Sequence, residues 1–325
     1  MPDYSDRGTE YTDRTYESIV ERLTAIYRQA QREIVQKLDA HTKRMNAADI
    51  EKRAQLSDGK ITKASYDAWL RGQVYAGKLW RDKVQSVTAT LLHANRHANA
   101  IIEGERRAVF GENATFQAYA MEHAAGMDLS FTLYDSATVT RLIKEQPELL
   151  PRREIDAEKD EGWNQKKIAN AVTQGIIQGE SIPEIAARIA RDTGHANNAA
   201  MTRYARTAMT GAQNAGRIEV MRESEDMGIK VKKLWIATLD DRTRDAHADL
   251  DGQTADVNEP FENALGPIMY PGDPNADDAN IWNCRCTLGF EYAEYPSHGM
   301  RRDNMTGELI EDMTYDEWLE WKEEF

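Results

Sequence analysis

The chain of 325 residues has only two cysteines and no long apolar run, and each shortage excludes a class of protein. Its two cysteines, Cys284 and Cys286, are separated by one residue and cannot build a disulfide framework, so we expect a product of a reducing cytoplasm. No run approaches the roughly 18–20 apolar residues of a membrane span, which predicts no membrane anchor. The first residues lack the basic and apolar regions of a secretory signal.

Negative charge is concentrated in the last third of the chain. The whole chain carries 41 Lys and Arg against 55 Asp and Glu, a formal net charge of −14. From Lys230 onward there are 9 basic residues against 22 acidic ones. Such a segment repels a phosphate backbone, so tight, non-specific DNA binding by the last third is disfavoured.

The first 110 residues have the periodicity of long amphipathic helices. Apolar residues recur at steps of three and four over 19–38, with Ser18 as the predicted N-cap. An Asp-Gly pair predicts a turn within 57–60, and a second helix without proline is predicted from about 62 to 109. We therefore predict a long, mostly helical N-terminal arm over residues 1–110.

Residues 111–160 are interpreted as a connecting region. Glycine, asparagine, aspartate and proline interrupt short apolar runs there. Within it, a short extended segment is followed by a predicted helix capped by Asp135 or Ser136.

A more regular pattern follows over residues 161–293. Three helices are predicted there, with ends near Gly179, Gly194 and Gly228. The period then changes, because apolar and basic residues alternate over 229–236, and a second strand pattern follows the cysteines.

The predicted fold class is α+β. The helical arm is followed by a compact domain of helices and a small antiparallel sheet over 161–293, and then by an acidic tail over 294–325. The tail contains a short predicted helix in which Trp318 and Trp321 share one face, so we expect it to dock on another element.

The Cys-x-Cys motif has four interpretations: a redox pair, half of a metal site, a nucleophile, and a tight turn leading into a strand. Structural zinc sites prefer four Cys or His ligands, whereas the sequence offers His247, Cys284 and Cys286. That ligand count leads us to expect less than one zinc per chain and no cofactor. No catalytic residue is assigned.

The structural interpretation of the motif places it at the entry to the last core strand. Asn283 is expected to turn the chain, Trp282 and Leu288 to be buried, and Arg285 to reach the acidic turn of 240–251.

Basic residues near that turn allow an enzymatic alternative, either a nuclease or an ADP-ribosyltransferase-like protein. Arginines clamp phosphate and histidine transfers protons, so this enzyme would use Arg206, Arg242, Arg244 and His247. In the structural interpretation, Arg242 and Arg244 pair with neighbouring aspartates instead.

The order of several segments over about 160–290 resembles the phage head morphogenesis family, the minor head proteins named for the F protein of phage Mu. The segments are QGIIQGESIPEIAARIA, RYARTAMTGAQNAGRIE, GIKVKKLWIATLDDRTRDAHADLDGQ, PGD and WNCRCTL. The motif positions are Arg206, Thr207, Trp235, Asp240, Arg242, His247, Gly252, Asn283, Cys284, Arg285 and Cys286. The chain reads Arg206-Thr207-Ala208 where the family usually reads Arg-Thr-Glu.

The resemblance implies a minor structural protein of a tailed-phage head, made in the bacterial host cytoplasm and placed in the head interior at the portal vertex. The implied partners are the portal protein and the major capsid protein, with contact to packaged DNA as a further expectation. The implied roles are capsid assembly and DNA packaging or ejection. On this interpretation the arm of 1–110 makes the portal or capsid contact, and the protein is not an enzyme.

Overall fold

The computed structural model describes residues 6–75, 78–151, 156–238, 240–292, 300–302, 309–311 and 315–323. The described helices are α1 (Arg7–Ser57), α2 (Lys63–Tyr75), α3 (Lys78–Ala125), α4 (Ser136–Glu145), α5 (Ala157–Gln178), α6 (Ile182–Asp226), α7 (Asp245–Ala248), α8 (Asp278–Ile281) and α9 (Tyr315–Glu323), with a 3-10 turn at Pro147–Leu149. The strands are β1 (Val231–Ile236), β2 (Thr254–Asp256), β3 (Phe261–Asn263), β4 (Gly266–Ile268), β5 (Thr287–Tyr292), β6 (Met300–Arg302) and β7 (Leu309–Glu311).

All described strand pairs are antiparallel, so the α+β prediction is confirmed. One sheet has the strand order β2-β1-β5, with Trp235 opposite Leu288 and Leu234 opposite Thr254. The pairs β3-β4 and β6-β7 form separate two-stranded ribbons. None of the helices described here is long and apolar enough to cross a membrane.

The chain divides into two compact units, each assembled from separate segments. The first unit contains Met1–Ile19, Ile102–Arg152 and Arg203–Phe325, and the second contains Val20–Ile101 and Arg153–Thr202. The four-part division at 110, 160 and 293 stays a prediction about the order of regions along the chain.

A continuous apolar core fills the second unit. It includes the predicted α1 positions Ile34 and Leu38, together with Leu70, Leu91 and Ile168 from other helices. All five side chains are almost completely buried. Full burial of an aliphatic side chain stabilises the folded state by about 1.5–3 kcal/mol. This shared core therefore accounts for the apolar residues that recur at steps of three and four in the sequence.

Three predicted helix boundaries are wrong, and in each case a contact or burial in the folded chain explains the difference. Helix α1 begins at Arg7, because the Asp6 carboxylate accepts the Thr9 backbone N–H at 2.9 Å and caps the helix, while Ser18 lies exposed within it. Helix α3 continues beyond 109, since Phe110 lies on a buried stripe that extends the helix. Helix α6 passes through Gly194, where a Cβ would collide with the Gln31 side chain.

Other boundaries are confirmed by their caps. The Asp135 carboxylate accepts the Thr138 N–H at 2.7 Å and begins α4. Gly179 ends α5 with φ = 73°, and Gly228 follows α6 with φ = 85°. These positive φ values favour glycine, which explains why the sequence marks these ends correctly.

The acidic tail docks on α3 as expected. Trp318 is fully buried, its ring lies 5.8 Å from the Tyr119 ring, and its indole N–H donates to Glu122 at 2.5 Å. Lys322 adds ion pairs to Glu122 at 3.2 Å and to Asp128 at 3.0 Å. Helix α9 therefore belongs to the first unit.

Candidate functional site

A buried cluster of His247, Cys284 and Cys286 is the main concentration of reactive side chains in the described first unit. His247 lies on α7, and the cysteines lie just before β5. The three residues are only 1–3% exposed. The Nδ1 atom of His247 lies 3.5 Å from Sγ of Cys284 and 3.6 Å from Sγ of Cys286. All three ligand atoms lie within 4.8 Å of one another.

Side chains of α6 hold the backbone of the Cys-x-Cys turn. Thr210 donates to the Cys284 carbonyl at 2.7 Å, and Asn214 donates to the Cys286 carbonyl at 3.2 Å. Thr207 accepts the Asn283 N–H at 2.9 Å, and Asn283 has a left-handed φ of 59°. The turn expected at Asn283 is therefore present. The backbone N–H of Asn283 fixes it by a hydrogen bond to α6, a helix distant in sequence.

The orientation of His247 is set by a chain of amides. Asn280 donates through Nδ2 to the Gly266 carbonyl at 3.1 Å, which directs its Oδ1 atom toward the Nε2 atom of His247 at 2.9 Å. Asn263 also donates to that oxygen at 3.1 Å. Because Oδ1 only accepts, Nε2 of His247 carries the proton and the lone pair of Nδ1 faces the two sulfurs.

Trp235 forms an apolar wall of the cluster. Its ring is fully buried and lies edge-on to both His247 and Phe261, at 5.3 Å in each case. Its indole N–H is buried and has no hydrogen-bond partner among the described atoms. Leu288, opposite Trp235 in the sheet, is fully buried as predicted.

The two thiols differ in acidity. A hydrogen bond to Cys286, together with burial, raises the pKa of the Cys284 thiol well above its usual value. The hydrogen bond from Cys284 lowers the pKa of the Cys286 thiol below its usual value, although burial opposes the effect. Of the two thiols, Cys286 therefore loses its proton more readily.

The acidic turn is tied to the Cys-x-Cys motif by Arg285. This arginine binds Asp240 through two hydrogen bonds, at 2.5 and 2.6 Å, and holds the pKa of the Asp240 carboxyl well below its usual range. The expected reach of Arg285 to the acidic turn is confirmed. Arg242 lies 3.5 Å from the same carboxylate, but its side chain is 74% exposed.

Two expectations near the turn are wrong. Arg244 donates to the Trp282 carbonyl, a backbone oxygen, where a contact to an aspartate was expected. Trp282 is 37% exposed, since the chain turns there and α8 ends before it. Two further motif positions have local roles in the fold: Gly252 turns the chain at φ = 75°, and Arg206 pairs with Asp13 at 2.8 Å.

Sequence reasoning missed the residues that position the cluster. Asn280, Asn263, Thr210 and Asn214 act on His247 or the cysteine backbone, yet they belong to three different segments. Polar residues inside predicted helices and loops carry no periodic signal that would single them out. Only their burial in the folded chain does so.

Comparison with known proteins supports the resemblance. Residues 166–289 match the family described as Phage Mu protein F like protein. Minor head protein GP7 of Bacillus phage SPP1 is 27% identical over 250 residues, which cover 74% of this chain and 75% of that protein. The NAD(+)–arginine ADP-ribosyltransferase EFV of Enterococcus faecalis is 36% identical over 157 residues, which cover 47% of this chain.

The extent of these matches differs. The chain spans only 31% of the length of the ADP-ribosyltransferase. No solved structure matches the chain. Over residues 166–289 the chain is similar to the phage Mu protein F-like family, the phage head morphogenesis family that its motifs resemble.

Proposed function

We propose that the protein is a minor structural component of a tailed-phage head, bound at or near the portal. The observation that carries this proposal is the length of the match to the minor head protein of Bacillus phage SPP1. It covers 74% of this chain and 75% of that protein, and so extends well beyond the family domain at 166–289. A match of that extent favours a shared role for the whole chain.

The proposed partners are the portal protein and the major capsid protein, and the proposed roles are capsid assembly and DNA packaging or ejection. The charge distribution supports protein contacts over general DNA binding. The 22 acidic residues after 229 outnumber the 9 basic ones, and such a segment is repelled by phosphates. Contact with packaged DNA is therefore proposed only for the first 229 residues.

A non-enzymatic role is favoured by the surroundings of His247. Both of its ring nitrogens already face protein atoms, with Asn280 on one side and the two sulfurs on the other. Arg242 is largely exposed, whereas His247 is 1% exposed, so the two side chains do not share a surface. General acid–base catalysis requires the imidazole to reach the substrate, and the burial of His247 counts against that.

The second candidate function is an enzyme carried in the particle. The relative named as an ADP-ribosyltransferase, at 36% identity, favours this second function. The match covers 31% of that protein, however, and the other 69% lies outside it. Its activity can reside entirely in the part that this chain does not share. The head protein therefore remains our conclusion.

The test is the protein content of purified phage particles. Particles are produced with the full-length chain and, separately, with its gene deleted, and proheads and finished heads are compared by quantitative mass spectrometry. We expect the chain in finished heads at few copies, cross-linked to the portal protein, and few infectious particles without it.

Three other outcomes would contradict the proposal. Presence in proheads but loss from finished heads would make the chain a scaffold-like assembly factor. Absence from both would remove the structural role. DNA cleavage or arginine ADP-ribosylation by the purified chain that is lost in His247→Ala, with folding and incorporation intact, would make the enzyme the better conclusion.

A further inference from the structure

We propose that His247, Cys284 and Cys286 form a zinc-binding site that ties α7 to the entry of β5. The site is independent of the proposed function, since it follows from the geometry of the cluster whether or not the chain enters phage heads. It also replaces the expectation of less than one zinc per chain, which rested on counting ligands in the sequence.

The two sulfur–nitrogen distances match the edge of a zinc tetrahedron. Zinc binds thiolate sulfur at about 2.3 Å and imidazole nitrogen at about 2.0–2.1 Å, so a tetrahedral ion places such a sulfur and nitrogen about 3.5 Å apart. The two sulfur–Nδ1 distances are 3.5 and 3.6 Å. Each pair therefore already has the separation that a shared zinc ion would impose.

The histidine is presented as metal-binding histidines usually are. Its Nε2–H donates to Asn280, which leaves the Nδ1 lone pair free and directed at the cysteines. Such a hydrogen bond on the far nitrogen fixes the tautomer and the ring orientation, and it raises the basicity of the ligand. Asn280 is itself fully buried and held by Asn263 and the Gly266 carbonyl, so the orientation is built in.

The sulfur of Cys284 already has a backbone hydrogen-bond donor. The Cys286 N–H points to Sγ of Cys284 at 3.4 Å, and such donors stabilise a coordinated thiolate. The cluster is free of disulfide bonding. Two thiolates and one imidazole are the soft nitrogen and sulfur donors that favour zinc over magnesium or calcium.

The fourth position is assigned to a water molecule. The described residues supply three ligand atoms, and zinc sites with three protein ligands complete the tetrahedron with water or a bound molecule. The neighbouring Trp235 carries a buried indole N–H without a partner among the described atoms. A zinc-bound water gives that donor an acceptor close to the cluster.

The direct experiment measures metal in the purified full-length chain. The protein is produced in zinc-supplemented medium, passed through buffer with a weak chelator, and analysed by plasma mass spectrometry. We expect about one zinc per chain in the unaltered protein and at least a tenfold loss in Cys284→Ser, Cys286→Ser and His247→Gln. The control is His195→Gln, an exposed histidine of the second unit, which should retain full zinc.

A second measurement covers variants that fail to fold. Cobalt(II) replaces zinc in the unaltered chain, and its visible spectrum reports tetrahedral thiolate coordination without any substitution. Asn280→Ala keeps all three ligands and should weaken zinc binding by about 10–100-fold, as loss of such a supporting partner typically does. Both cysteines should resist alkylation until a strong chelator is added.

The proposal is overturned by any of three results. The first is a negligible zinc content together with an unchanged melting temperature in strong chelator. The second is a cobalt spectrum without thiolate-to-metal bands. The third is alkylation of both cysteines at the same rate before and after chelation.

Discussion

At the scale of single residues, Lys233 is the least expected side chain of the fold. It lies on β1, is fully buried, donates to the Met269 carbonyl at 2.9 Å and sits 5.0 Å from the centre of the Phe261 ring. Burial lowers its pKa from 10.5 to about 8, and Arg222 adds to the effect while Asp273 and Glu259 oppose it. The protein thus keeps a costly charge within a strand whose inward face is otherwise apolar.

We predict that Lys233→Met removes the dependence of stability on pH that the buried lysine causes. The folded pKa is depressed, so the unfolded chain binds more protons than the folded chain between about pH 8 and 10.5. Stability of the unaltered protein should therefore rise relative to Lys233→Met across that range, by up to about 3 kcal/mol. Urea unfolding at pH 7, 8.5 and 10 measures it. A constant difference between the two proteins would contradict the assigned cause.

At the scale of elements, α3 and α6 approach so closely that one glycine decides their contact. A Cβ on Gly216 would collide with the carbonyl of Phe110, and both residues belong to the first unit. Phe110 is fully buried, so the α3 backbone has no space to retreat into without opening the core. The absence of a side chain at Gly216 therefore allows the close packing of α6 on α3.

We predict opposite effects of alanine at two helical glycines. Gly216→Ala should destabilise the protein by about 1–3 kcal/mol, the usual cost of overpacking a tight core. The matched control is Gly104→Ala on α3, where a Cβ meets nothing within 4 Å. Alanine there should stabilise the helix by about 0.5–1 kcal/mol. Thermal unfolding of both variants measures the difference, and equal effects would count against the close approach.

At the scale of the whole molecule, the start of α1 is held by residues more than 100 positions later in the chain. Arg217 is 4% exposed and binds Asp6 at 2.5 Å, Asn113 at 3.2 Å and the Leu288 carbonyl at 2.9 Å. Asn113 in turn donates to Thr12 at 2.9 Å. One buried guanidinium thereby connects α1, α3 and β5 within the first unit.

We predict that a chain beginning at Val20 is less stable than the full-length protein. The truncation removes Asp6 and Thr9 from Arg217, and a buried charge that loses its partner costs about 3–5 kcal/mol. Circular dichroism during heating measures the loss. The control is Asp13→Asn. The Asp13 side chain is 55% exposed, so this substitution should change the free energy of unfolding by less than about 1 kcal/mol. An unchanged melting temperature in the truncated chain would show that these contacts carry little of its stability.

Local chemistry made part of this molecule predictable. Apolar steps of three and four identified Ile34 and Leu38 as core residues, Asp135 marked a helix start, and Gly179 and Gly228 marked helix ends. Each signal involves neighbours within one or two turns, and that is the range over which caps and periodicity act. His247, Cys284 and Cys286 were likewise identified as candidates by residue type.

Only the tertiary structure decided how these pieces combine. Helix α6 runs through Gly194 because Gln31 packs there, and α1 begins earlier than expected because Asp6 both caps it and binds Arg217. The candidate ligand set became a site only when Asn280 oriented His247 toward cysteines 37 and 39 residues away. A sequence determines which side chains are available, whereas distances and burial depend on contacts between segments far apart in the chain.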